Sequence, residues 1–533
     1  MLLALLLAAT LLLPSSSAGA DRSATDPVAA DASRSPFEGM PLASALGPLT
    51  EDRLFQDSVV GFQVVNTRTG EESFAWQADR PMQPASVMKL LTTAAALRTL
   101  GPAWRFSTDL LTDETAKITP EGVLKGNLYV RGGGDPTLVV EKLWRMVADL
   151  QLFGVTSIEG NIVFDASYYE DSFLIPGWDK DVDIQNGPSY FAPLSALSVN
   201  FNTACLVIGP GAAVGQPARV QLDTPVSVIE IDNQATTVRA GGRRWLRVDR
   251  EVLEDEETLK FTIRGEIPLD AVIDREYRAL NDPMPHFMSV FRGVLEDRKI
   301  KVKGRYIEGV TPPTADRLVH MDSPPLASIL ADMNKHSSNF MAEQVLRAMG
   351  ATVKGAPGNT AKGVEVISDY LADIGVPPAS VHLVNGSGLS REVSVPASAI
   401  TAVILDMYAN NKVGHEFLAS MAIGGVDGTL WARFRDADTV GRIRGKTGSL
   451  NGVFCLAGIV EGGDGDVYAF ALLTNELGSS TWPVKRLMER FGDAMVGLGG
   501  ASAAAGGSAG DLAPSGAGGA TDDEGGGDAA EGI

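Results

Sequence analysis

The sequence predicts an α/β (α+β) protein whose two ends enclose a large, mostly-β insertion. Strand and helix patterns occupy both ends of the chain, whereas residues from about 108 to 312 form short alternating segments with frequent Gly and Pro. At 533 residues the chain is also too long for one compact core. We therefore expect one domain built from both ends of the chain and two domains inserted into it.

The first elements are a hairpin and a helix. Residues 59–65 and 72–76 have strand patterns and flank a Gly-containing turn, which indicates a β-hairpin. A helical pattern follows over residues 87–100, and a Gly-Pro pair ends it. Ser86 therefore opens a helix, and Lys89 lies three residues further along the same face.

Short β segments dominate the insertion, and the stretch Gly132–Pro136 lies among them. This stretch lacks the Gly-Lys-Ser/Thr of a phosphate loop, so we interpret it as a tight turn. After the insertion the patterns predict three helices, a hairpin and a final amphipathic helix. These elements cover residues 325–349, 360–375, 396–411, 452–460 with 467–474, and 481–497.

Composition excludes several classes of function. The chain is 44% hydrophobic and 21% charged, and its net charge of −21 argues against nucleic acid as a partner. Its five histidines are scattered without metal-ligand spacing, so we expect no metal site and no cofactor. No segment contains about 18 unbroken apolar residues, so no stable transmembrane segment is expected.

The two termini predict export and a flexible tail. An apolar run over residues 2–13 precedes an A-x-A-like site at residues 18–20, which indicates a signal peptide, although no Lys or Arg precedes Arg22. We therefore expect a periplasmic or extracellular protein. Residues 21–45 are predicted to be a flexible lead-in, and residues 499–533 a disordered Gly/Ala/acidic tail.

The two cysteines, Cys205 and Cys455, leave two states open. An exported protein can pair them in a disulfide. Cys455 lies in an apolar run that indicates a buried strand, and two unpaired core cysteines fit the sequence equally well.

Three short motifs contain the residues for a chemical reaction: Ser86-Val87-Met88-Lys89, Ser337-Ser338-Asn339 and Lys446-Thr447-Gly448. They form the S-x-x-K, S-x-N and K-T-G set of serine enzymes that bind penicillin. Acyl transfer needs a hydroxyl nucleophile, an amine to activate it, a proton shuttle and positive charge for an anionic substrate. Each motif alone has an ordinary interpretation as a helix cap, a loop or a surface turn. All three in this order favour one active site.

On these motifs the chain resembles the class C low-molecular-mass penicillin-binding proteins, the D-alanyl-D-alanine carboxypeptidase/endopeptidase family (peptidase family S13, penicillin-binding protein 4 type). The resemblance spans roughly residues 45–495 and includes the stretches 132–138, 192–202, 386–391 and 425–430. It implies a β-lactamase/DD-peptidase-like antiparallel sheet flanked by helices. It also implies a serine DD-peptidase that acts on peptidoglycan stem peptides through an acyl-enzyme and is acylated by penicillins. Carboxypeptidase and endopeptidase activity both fit.

The resemblance and the chemistry together assign the catalytic roles. Ser86 is the expected nucleophile, and Lys89 is its base if its pKa falls from about 10.4 to roughly 7–8, helped by the like charge of Lys446 and by partial burial. Ser337 is expected to pass a proton to the leaving nitrogen. Asn339 is expected to hydrogen-bond both Lys89 and the substrate amide.

The third motif is expected to bind the substrate at the start of an edge strand. Lys446 supplies charge for the terminal carboxylate, and the hydroxyls of Thr447 and Ser449 bind it. Gly448 allows the substrate to approach closely. The backbone N–H groups of Ser86 and Ser449 are expected to form the oxyanion hole.

Two further residues are predicted to select the peptide side chain. By resemblance, Arg391 binds its carboxylate and Tyr190 contacts its diaminopimelate end. An acid of the insertion is also implied, but Gln185 stands at the corresponding position, and the nearest acids are Asp181 and Asp183.

The expected domains are a catalytic domain in two parts, residues 46–107 and 313–498, around inserted domains at 108–312. A β-lactamase is the alternative enzyme, but we find no motif for a deacylating water after the second triplet. A catalytically inactive wall-binding scaffold is the alternative outside the enzymes, and the intact catalytic set argues against it.

Overall fold

Both ends of the chain meet in one antiparallel sheet. We describe a computed structural model over residues 42–56, 58–170, 172–178, 187–254, 258–478 and 481–497. The predicted signal peptide, most of the lead-in, and the tail lie outside the described residues. Before the insertion the elements are α1 (Leu42–Thr50), α2 (Arg53–Gln56), β1 (Val59–Asn66), β2 (Glu72–Trp76) and α3 (Met88–Thr99).

The insertion contains most of the strands. In chain order they and the two helices among them are β3 (Ser107–Thr112), β4 (Lys117–Ile118), β5 (Val123–Lys125), β6 (Leu128–Gly132), α4 (Val140–Leu152), β7 (Ser157–Ile158), β8 (Ile162–Asp165), β9 (Thr203–Gly209), β10 (Arg219–Leu222), β11 (Ile229–Val238), β12 (Trp245–Val252), β13 (Leu259–Pro268), β14 (Asp274–Ala279), α5 (Pro283–Asp297), β15 (Lys301–Val302), β16 (Tyr306–Glu308) and β17 (Asp316–Asp322).

The chain then returns to the first sheet. The remaining elements are α6 (Leu326–Lys335), α7 (Asn339–Lys354), α8 (Thr360–Asp373), α9 (Ala397–Ala409), α10 (Gly414–Ser420), β18 (Ala422–Ile423), β19 (Ile443–Leu450), β20 (Val453–Glu461), β21 (Val467–Asn475) and α11 (Thr481–Val496).

The main sheet has the strand order β18-β19-β20-β21-β1-β2, and all neighbours are antiparallel. Strand β1 pairs with β21 along its whole length, from Val59 opposite Asn475 to Asn66 opposite Tyr468. Both predicted hairpins, β1–β2 and β20–β21, are present. The predicted antiparallel sheet flanked by helices is therefore confirmed.

Side chains of the central strands alternate between two cores. In β20, Cys455 and Ala457 join the core formed with α3 and helices α6 to α10, whereas Phe454 and Leu456 join the core formed with α1 and α11. This alternation follows from the two-residue period of a strand. It explains why β20 is buried on both faces and reads as an unbroken apolar run.

The insertion has its own sheets and cores. A five-stranded mixed sheet (β16-β8-β6-β3-β17), a four-stranded one (β15-β7-β5-β4) and helices α4 and α5 enclose one apolar cluster. Two three-stranded sheets (β10-β9-β14 and β11-β13-β12) enclose another. Two clusters accord with two inserted domains, whose exact limits stay a prediction.

The structure corrects four details of the sequence analysis. α1 begins at Leu42, inside the segment interpreted as a lead-in, because its apolar face packs on the main sheet. β17 belongs to the insertion although it follows residue 312, since it pairs with β3. α4 and α5 lie within a segment that reads as mostly β. The single helix predicted over 325–349 is two helices, separated by a turn at residues 336–338.

Cys205 lies in β9 and Cys455 in β20, and both are buried and unpaired. No helix in the described ranges is long and apolar enough to span a membrane.

Candidate active site

Ser86 and Lys89 meet at the start of α3, as their spacing predicts. A short 3-10 turn over Ala85–Val87 leads directly into the helix, so Lys89 projects back over the preceding turn. The Nζ atom of Lys89 lies 2.9 Å from the Oγ atom of Ser86. This is the contact that a lysine needs in order to take a proton from a serine hydroxyl.

Lys89 is completely buried, and its Nζ atom donates two further hydrogen bonds. Nζ donates to Oδ1 of Asn339 at 2.7 Å and to the backbone carbonyl oxygen of Ser387 at 3.0 Å. Burial lowers the pKa of Lys89 to about 7, and the carboxylate of Glu343 opposes part of that lowering. The amine is therefore available as a base near neutral pH.

Burial, which was expected to contribute, is the largest cause of this lowering. The charges of Lys89 and Lys446 repel each other, as expected, and this repulsion adds to the burial that holds the pKa of Lys446 well below its usual value.

Ser337 and Lys446 form a second serine–lysine pair. The Nζ atom of Lys446 lies 2.8 Å from the Oγ atom of Ser337 and 2.7 Å from the carbonyl oxygen of Thr447. Ser337 has a left-handed backbone with φ of 58°, in the turn between α6 and α7. Ser338 then caps α7 by accepting a hydrogen bond from the N–H of Met341. The break in the predicted helix therefore places Ser337 at the cleft.

The K-T-G motif lies on an open stretch of β19. The two residues of β18 pair only with Arg444 and Gly445, so no described strand pairs with that edge from Lys446 onward. Thr447 Oγ1 contacts Thr429 Oγ1 at 2.9 Å, and Ser449 is exposed. An open edge with free backbone groups is a docking site for an extended peptide.

Gly448 lies where β19 passes close to the turn that carries Ser86. A Cβ atom at this position would lie 2.6 Å from the carbonyl oxygen of Pro84 and 3.1 Å from the backbone N of Ser86. Any side chain would therefore displace the turn that carries Ser86.

The predicted specificity residues are only partly brought together. Asn339 links the two sides of the cleft, because its Nδ2 donates to the backbone carbonyl oxygen of Tyr190 at 3.2 Å. The side chain of Arg391 is exposed and donates to the carbonyl oxygen of Asn451, just beyond β19. The structure does not describe the segment with Asp181, Asp183 and Gln185.

Sequence reasoning missed a polar stripe on α7. Asn339, Glu343 and Arg347 follow one another at four-residue spacing, and all three are buried. Glu343 accepts hydrogen bonds from the backbone of Ser387, and Arg347 donates to the carbonyl oxygens of the 172–174 segment. Polar residues at every fourth position on a helix with a buried face, two of them charged, were the available signal.

Within the described residues, no group of three or more His, Cys, Asp or Glu side chains is arranged to hold a metal ion. The cleft instead joins two serines, two buried lysines and an asparagine beside an open strand edge. This arrangement can activate a hydroxyl, move a proton to a leaving group and bind an extended peptide. It defines the chain as a serine enzyme of acyl transfer.

The chain belongs to the D-Ala-D-Ala carboxypeptidase 3 (S13) family, whose profile matches residues 42–491. A D-alanyl-D-alanine carboxypeptidase of Actinomadura sp. (strain R39) is 31% identical over 447 residues, which are 81% of each chain. D-alanyl-D-alanine carboxypeptidase DacB of Haemophilus influenzae is 26% identical, over 79% of this chain and 86% of its own. The predicted family is thereby confirmed, and the protein is a serine-type D-Ala-D-Ala peptidase.

A solved structure shares the fold. Penicillin binding protein 4 (dacB) from Haemophilus influenzae superposes with a TM-score of 0.72 at 23% identity, over 84% of this chain and 97% of that chain.

Proposed function

We propose that the two serine–lysine pairs carry out the acyl transfer of this peptidase, with Ser86 as nucleophile and Lys89 as base. The observation that supports this most directly is the 2.9 Å contact between Ser86 Oγ and a fully buried Lys89 Nζ whose pKa is about 7. Neutral Lys89 takes the hydroxyl proton while Ser86 Oγ attacks the carbonyl carbon of the penultimate D-Ala. The backbone N–H groups of Ser86 and Ser449 stabilise the resulting oxyanion.

Ser337 and Lys446 transfer a proton to the leaving group. Ser337 Oγ donates its proton to the nitrogen of the departing amine and receives one from Lys446, which lies 2.8 Å away. The C–N bond breaks, and the amine leaves an ester on Ser86. Lys89 then gives up the proton it took from Ser86 and Lys446 regains the one it gave to Ser337, so both lysines return to their starting states. Water attacks the ester carbonyl carbon and gives a proton to neutral Lys89, which passes it to Ser86 Oγ as the ester C–O bond breaks, so the acid is released and Ser86 is restored.

The open edge of β19 binds the peptide before this chemistry. Its backbone groups pair with the extended stem peptide, and Gly448 keeps the strand free of side chains next to Ser86. The terminal carboxylate is bound by Lys446 and by the hydroxyls of Thr447 and Ser449. Asn339 orients Lys89 and the substrate amide, while Arg391 and Tyr190 contact the peptide side chain.

The substrate class is peptidoglycan stem peptide, and β-lactams are expected to acylate Ser86 in its place. The Haemophilus influenzae relative has a structure in complex with a β-lactam, which supports this extension. Because peptidoglycan lies outside the cytoplasm, we also infer export of the chain to the periplasm or the cell exterior, consistent with its apolar residues 2–13.

The test is the intact mass of the protein after incubation with benzylpenicillin. We expect a stable adduct on the wild type and on Ser380→Ala, a control in the surface turn Pro378–Ser380, and none on Ser86→Ala. Rapid loss of the drug without an adduct would indicate a β-lactamase. Neither adduct nor drug loss in folded protein would leave the scaffold interpretation.

A further inference from the structure

Glu343 is a buried carboxylate with no role in the mechanism above. It lies on α7 one turn after Asn339 and has no exposed surface. Its two oxygens accept hydrogen bonds from consecutive backbone N–H groups, from Ser387 at 2.7 Å and from Gly386 at 3.2 Å. A carboxylate with two such donors fixes the peptide segment that it binds.

The segment that Glu343 binds, residues 386–387, also forms a hydrogen bond with Lys89. The carbonyl oxygen of Ser387 accepts the 3.0 Å hydrogen bond from Lys89 Nζ. Thr92, one turn after Lys89 on α3, donates to the carbonyl oxygen of Gly386 at 2.7 Å. The polypeptide at residues 386–387 therefore lies between Glu343 and α3 and is bonded to both.

Gly388 shows how closely this segment packs against the nucleophile. It has φ of 77°, and a Cβ atom there would lie 2.0 Å from the carbonyl oxygen of Ala85, the residue before Ser86. A shift of the segment would therefore move both Ser86 and an acceptor of Lys89.

We propose that Glu343 is a positioning residue for acylation: it holds the 386–388 segment so that the carbonyl oxygen of Ser387 orients Lys89 toward Ser86. This inference rests on the proposed roles of Ser86 and Lys89. Glu343 does not touch the reacting atoms. It acts through the backbone of residues 386–387, and its negative charge attracts the ammonium group of Lys89.

The charge of Glu343 gives the proposal a specific signature. Its attraction raises the pKa of Lys89 against the effect of burial. Arg347, one turn further along α7, favours the charged form of Glu343, although burial raises the pKa of that carboxyl. Lys446 is the cationic neighbour, and its charge and that of Lys89 repel each other.

The other titratable groups near α7 and α3 act on Arg347 or lie at the far end of α3. Tyr169 and Glu170 of the insertion face Arg347. Asp406 of α9 pairs with Arg98 at the far end of α3. None of them contributes to the pKa of Lys89, so Glu343 is the acidic neighbour whose removal is diagnostic.

The experiment measures the second-order rate of acylation by benzylpenicillin from pH 5 to pH 9, together with thermal unfolding. The variants are Glu343→Gln, which removes the charge, and Glu343→Asp, which keeps it on a shorter side chain. Glu365→Gln is the matched control, because Glu365 on the neighbouring α8 has a largely exposed side chain that pairs with Lys354.

In the wild type we expect the rate to fall below a pH of about 7, where Lys89 becomes protonated. Loss of the Glu343 charge lowers the pKa of Lys89 further, so in Glu343→Gln this fall should move by about 0.5 pH unit or more toward acid. Its plateau rate should also drop about tenfold, because the Ser387 carbonyl is no longer held. Glu343→Asp should keep the wild-type pH profile with a lower plateau, and Glu365→Gln should match the wild type.

If the acylation rate of Glu343→Gln falls at the same pH as that of the wild type, the proposal is overturned. A purely structural role of Glu343 would alter the stability and the yield of folded protein but not the pH dependence of the rate. If Glu343→Gln does not fold, Glu343→Asp decides, and a wild-type plateau in that variant would overturn the proposal. A wild type that is not acylated at all would instead contradict the proposed function.

Discussion

The active-site cleft and the core of the insertion each bury a basic side chain, and the two side chains differ in their hydrogen-bond partners. Lys89 in the cleft has three hydrogen-bond partners and a pKa of about 7. His286 on α5 is buried in the insertion, neither ring nitrogen has a partner among the described residues, and its pKa is lowered to about 4. Burial lowers the pKa in both cases. The partners decide whether the group is positioned for proton transfer or held neutral.

The test of this comparison with the largest expected effect removes the amine of Lys89 from the cleft. Lys89→Met should reduce the acylation rate by about 10²–10⁴-fold, because general-base catalysis contributes that much. Acylation is measured by stopped-flow competition with a fluorescent penicillin, and folding by circular dichroism. A folded variant with a near-normal rate would show that Lys89 is not the base.

A smaller effect is expected from adding a side chain to β19 beside Ser86, the proposed nucleophile. Gly448→Ala should slow acylation by roughly 10²-fold, since its Cβ atom would displace the turn before Ser86 and misplace the hydroxyl. The control is Gly293→Ala on α5, where a Cβ atom meets no atom within 4 Å. Equal rates in both variants would show that the cleft tolerates a side chain at this position.

The smallest effect concerns His286 and appears in stability, not in activity. Because its folded pKa of about 4 lies below the unfolded value of 6.5, the unfolded state binds a proton first, and stability is lost as pH falls from about 6.5 to about 4. His286→Leu should remove about 2 kcal/mol of the loss between pH 7.5 and pH 5. Urea denaturation of both proteins at the two pH values measures it. Identical losses would mean that His286 titrates normally.

Local spacing explains what was predictable in the site. Ser86 and Lys89 meet because three residues separate them on one helix, and the motifs specify Asn339, Ser337 and Lys446 by type. The position of Glu343 on the buried face of α7 was the available signal for this residue, but no local pattern identifies its partners, which are backbone N–H groups of a distant turn. It also did not show that Lys89 is completely buried, which is the largest cause of its lowered pKa.

The fold was predictable to a similar degree. Alternating patterns identified both hairpins of the main sheet, whereas the helices α4 and α5 were hidden among short β segments. The helical pattern over 325–349 did not show the break at Ser337, whose left-handed backbone separates α6 from α7 and whose side chain contacts Lys446 of β19. Long-range packing decides such positions, and the sequence alone does not describe it.

The pairing of β1 with β21 has a consequence for how the enzyme matures. Val59, near the start of the described chain, pairs with Asn475, near its end, so the main sheet cannot close until the last strand has been synthesised. Pairing between such distant segments is also intrinsically slow, because the entropy of closing a long loop opposes it. A chain whose synthesis has not yet reached β21 therefore lacks the assembled main sheet, which delays peptidase activity until that strand has been made.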